Sequence, residues 1–66
     1  MTPKEKAKEL VHRFDLMQTY VEGFSYDDAK QCALIAVDEI LVVVINSPYV
    51  DIIKYWQEVK KEINKL

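Results

Sequence analysis

The sequence predicts an all-α fold, a three-helix bundle or helical hairpin that self-associates, as a single domain over residues 1–66. Three observations predict it. Apolar residues recur at spacings of three and four along most of the chain, the period of a helix with one buried face. Cap and stop signals divide the chain into three such stretches. The middle stretch is apolar on so many sides that a lone helix would leave much of it in water.

The first helix is expected over residues 3–22. Thr2 can accept from free backbone amides, Pro3 suits the first helical position, and Glu5 can close a capping box. Ala7, Leu10, Phe14, Met17 and Val21 form its apolar line, and Glu9–Arg13 is a favourable i,i+4 pair. Gly23, the only glycine, stands where this helix should stop. The second helix is expected over 25–45, with Ser25 as N-cap and Asp27 and Asp28 at the positive end of the dipole. Ala29, Ala33, Ala36, Ile40, Val43 and Val44 share one face, which Leu34, Val37 and Leu41 widen. The run Leu41–Ile45 is mostly β-branched, yet no second strand is available to pair with it, so helix is preferred. Asn46-Ser47-Pro48 breaks the helix. The third is expected over 48–65, with Ser47 as cap and Pro48 first. Tyr49, Ile52, Trp56, Val59 and Ile63 make its apolar line, with Ile53 beside it, and Glu58–Lys61 is an i,i+3 pair.

A chain of 66 residues has a marginal core, and disulfides, metals or partner subunits usually make up the deficit. Cys32 is the only cysteine, so no disulfide forms within the chain, and a lone thiol in an apolar run reads as buried and inert. His12 is the only histidine and reads as a surface residue, with no ligand set for zinc around it. No cofactor is expected. A partner subunit is left, and a homo-oligomer is the expectation.

The net charge of −2 lacks the basic stripe of a nucleic-acid binder. It is unevenly spread: residues 1–13 carry +2, residues 14–50 carry −5 and residues 51–66 carry +1. The start has no apolar leader, and Asp38 and Glu39 interrupt the longest apolar stretch, so no membrane association is expected and the expected compartment is the cytoplasm.

Catalytic motifs are absent. Asp27-Asp28 and Asp38-Glu39 are the adjacent acid pairs, but 11 residues, roughly 16 Å of helix, separate them. Gln31 stands where an ExxE-type cation site would need a second acid. The expectation is therefore no enzyme. Opposite the core face of the middle helix, Ile35, Asp38, Glu39 and Val42 make an acidic strip with two apolar knobs, the expected partner-binding surface. The alternative is an oligomer that sequesters a small anionic ligand such as a nucleotide between subunits. It would use Arg13, Tyr49, Lys54 and Tyr55, and Tyr55 lies off its helix's core line as an exposed anchor.

The stretches Ala29–Ile40 (AKQCALIAVDEI) and Tyr55–Ile63 (YWQEVKKEI), with the opening Thr2–Ala7, resemble a group of small proteins from bacteriophages and Bacteroidetes-type genomes. The group brings no activity to carry over. The resemblance implies a setting: a phage-encoded accessory or anti-defence protein that acts in the host cytoplasm by binding a host protein.

Overall fold

The structure, a computed structural model, describes residues 1–66 and contains three α-helices and no strand. Helix α1 spans Pro3–Asp15 and runs into a single 3-10 turn, Leu16–Thr19. Helix α2 spans Tyr26–Val44, and α3 spans Val50–Lys65. Each helix packs against both others in a three-helix bundle.

Capping fixes where α1 and α2 begin. Thr2 Oγ1 accepts from the Glu5 amide at 3.2 Å, and Glu5 Oε1 accepts from the Thr2 amide at 3.0 Å. Ser25 and Asp28 repeat the device: Ser25 Oγ accepts from the Asp28 amide at 3.2 Å and Asp28 Oδ2 accepts from the Ser25 amide at 2.9 Å. The shorter aspartate fills the place usually taken by glutamate or glutamine.

The first helix ends seven residues earlier than its pattern predicts. No residue from Phe14 to Asp28 is buried, so nothing rewards the α-helix for continuing through Thr19, Tyr20 and Val21, which are poor helix formers. The chain tightens into the 3-10 turn instead. Gly23 sits in the following loop at φ 82°, a conformation other residues adopt at a cost of roughly 1–2 kcal/mol. The third helix also starts later than predicted. Its N-cap is Tyr49, and Ser47 Oγ accepts from the Tyr49 amide at 3.1 Å within the turn rather than capping the helix.

The core is small: Ala7 and Val11 from α1, Ala29, Ala33 and Val37 from α2, Val59 and Ile63 from α3. Val11 was not in the predicted apolar line of α1, whose Met17 and Val21 are exposed. Three of these seven are alanines, one on α1 and two on α2. Leu10, Phe14, Leu34, Leu41, Tyr55 and Trp56 pack around this centre. Cys32 is half-buried, not buried as expected.

The helices run up, down and up. Tyr55 Oη donates to the Met1 carbonyl at 3.1 Å, which places the start of α1 beside the second turn of α3. Lys60 Nζ lies 2.8 Å from Asp38 Oδ1, the one ion pair between helices.

Candidate functional site: the tip of the α2–α3 hairpin

At roughly 1.5 Å per residue, α1 is about 20 Å long, α2 about 29 Å and α3 about 24 Å. The capping box and Pro3 stop α1 near Tyr55. The last turn of α2, the link Ile45–Tyr49 and the first turn of α3 therefore project past it as a two-helix tip. The consequence is visible in the burial. No residue from Asp38 to Glu58 is buried, although this segment contains the most apolar run of the chain.

The apolar line of α3 shows the same thing residue by residue. Ile63 and Val59 are 0% exposed, Trp56 is half-buried, Ile52 is 41% exposed and Tyr49 is 65% exposed. The face that forms the core at one end of α3 emerges into solvent at the other. On α2, Val43 is 76% exposed, which corrects its predicted place on the core face, and Val42 and Ile45 stand exposed beside it. Pro48, Tyr49, Val50, Asp51 and Ile52 line a shallow open depression at the bend. It is built from one continuous stretch of chain, so it is the concave flank of a turn and not an enclosed ligand cavity.

Ile35, Asp38, Glu39 and Val42 lie on one exposed stripe of α2, as their spacing requires. Asp38 is engaged with Lys60, whereas Glu39 makes no ion pair within the chain. The stripe runs into the tip at Val42. Arg13, Tyr49, Lys54 and Tyr55 are not brought together in one chain. Arg13 is exposed near the far end of α1, roughly 25 Å along the bundle from Tyr49. Tyr55 is not the exposed anchor its position on the helix suggested: it packs on the core, meets Trp56 edge to face at 5.4 Å and holds Met1. A ligand touching all four residues would have to sit between subunits.

The acid pairs have local duties. Asp28 caps α2 and Asp38 pairs with Lys60. No three His, Cys, Asp or Glu side chains converge at a point that would hold a metal ion. His12 is exposed. No helix is long and apolar enough to cross a membrane.

Sequence reasoning missed Val43, Ile45 and Val50 as surface residues. The position of the α1 start beside Tyr55 is what leaves them uncovered, and that long-range register is not written in the local pattern. No family profile, curated protein or solved structure matches the chain.

Proposed function

We propose that this chain is a non-catalytic helical interaction protein that works by docking its hairpin tip against another protein. One observation carries the reading: the bundle's own core line leaves the core and ends in solvent at Ile52 and Tyr49, and Val43 near the end of α2 is exposed as well. Contiguous exposed apolar surface of this kind is costly in water and marks contact sites on soluble domains. The acidic residues of the stripe, Glu39 and Asp38, would set the polar rim of the contact. The resemblance of Ala29–Ile40 and Tyr55–Ile63 supports a phage accessory or anti-defence role in the host cytoplasm as the setting.

A photo-reactive amino acid placed at position 43, and at the exposed Lys8 as a control, tests the reading in the protein's native cells. Protein adducts of discrete mass should form from position 43 and not from position 8. Equal labelling at both positions, or none at either, would remove the tip as the docking surface.

A further inference from the structure

We infer that the occupant of the tip is a second copy of this chain, docked tip to tip about a two-fold axis so that two hairpin ends complete one another. The inference rests on reading the tip as a docking surface and names what sits on it.

Surface area is the first argument. A compact monomer of 7.7 kDa exposes about 4,300 Å², whereas this chain exposes 4747 Å². Its radius of gyration is 12.5 Å, against about 10.8 Å for a compact domain of this length. Part of the excess lies around the α1–α2 turn, where Leu16, Met17, Tyr20, Val21 and Tyr26 are exposed, and part lies at the tip. Val42, Val43, Ile45, Tyr49, Val50 and Ile52 are all exposed at the tip. At roughly 100 Å² apiece they offer on the order of 600 Å² per copy. Covered completely, two such patches would bury at most about 1,200 Å², the lower bound for a specific interface. The tip is large enough for a dimer that dissociates on dilution.

Charge is the second argument. In a two-fold contact residue i meets j and j meets i, so the patch must be complementary to itself. Around the tip Asp38 is paired with Lys60, and Glu58 with Lys61. The residues left without an ion pair are Glu39, Asp51 and Lys54. They carry both signs and a net charge of only −1, so Lys54 of each copy can face an acid of the other without strong repulsion. The same residues disfavour an anionic occupant such as nucleic acid or an acidic lipid surface.

Two substitutions disturb the contact while favouring the helices that carry it. Val43→Lys places a cation in the last turn of α2, which now has no basic residue, and Val50→Asp places an acid in the first turn of α3. Both side chains are exposed in the monomer, so neither change should reduce helicity by circular dichroism. Light scattering of the full chain from about 1 µM to about 1 mM should show a mass rising from 7.7 kDa toward twice that value. Each substitution should weaken association roughly tenfold or more, and Lys8→Asp should leave it unchanged. A constant 7.7 kDa at every concentration, growth beyond two copies, or a dimer indifferent to both tip substitutions would overturn the inference. A constant monomer whose position 43 still cross-links to a heavier protein would overturn the second copy alone and leave the docking surface standing.

Discussion

Glu5 and Glu9, both on α1, have carboxyls held below their ordinary titration range. Hydrogen bonds from Thr2, the backbone amide above all, hold Glu5 down, and the Lys6 ammonium at 2.7 Å holds Glu9 down. A carboxylate whose folded pKa is depressed adds stability that is present above its unfolded pKa and is lost as pH falls through the folded one. The start of α1 should therefore loosen as pH falls below roughly 4. Thr2→Ala removes the hydroxyl and should cost about 1 kcal/mol at neutral pH. It should also flatten the acid limb of the stability curve, because Glu5 then keeps only the Thr2 amide. Thermal unfolding of both chains across the acid range checks this, and parallel curves would mean that the box does not couple to folding. Thr2 and Glu5 were readable from the sequence because a capping box needs only two residue types three positions apart. Asp28 in the same role was not, because aspartate at that position is as readily read as a simple dipole partner.

At the scale of the element, helix α2 shows which part of a helix a sequence encodes. Ala29, Ala33 and Val37 form its buried stripe, and the period of three and four that marks them is local to the chain. Where the stripe ends is not local. Ile40 and Val43 sit at angles that the same period assigns to the core face, yet Val43 is solvent-exposed because no third helix reaches it. The limit was set by Thr2, Pro3 and Glu5, some 40 residues away in sequence. The early end of α1 has a similar origin: Met17 and Val21 continue the pattern, but no partner covers them. The alanines test the packing directly. Ala33 is 0% exposed at the centre of the core, so Ala33→Leu adds three carbons to a fully buried site and should destabilise by roughly 1–3 kcal/mol. Helix propensity contributes little to the change, since leucine ranks just below alanine as a helix former. A rise in the melting temperature on Ala33→Leu would show that the centre of the bundle is loosely packed and can yield.

For the whole molecule, the question is whether 7 buried residues among 66 are all that folding can use. Ile63 and Ile52 answer it, because they are the same residue type on the same line of the same helix at opposite ends. Ile63 is wholly buried, so Ile63→Ala should cost roughly 2–5 kcal/mol at any protein concentration. Ile52 keeps 41% of its surface in water, and in a monomer Ile52→Ala should cost well under half as much. A dimer through the tip changes the second value and leaves the first alone. Binding to the folded state adds stability that grows with concentration, so the cost of Ile52→Ala should rise between dilute and concentrated solution as the lost interface begins to count. Denaturant unfolding of the three chains at two concentrations measures both effects. A concentration-independent Ile52→Ala penalty as large as that of Ile63→Ala would place the tip inside the monomer's cooperative core. A small penalty that grows with concentration would place it at the interface, with the end of the hairpin acquiring its burial only on association.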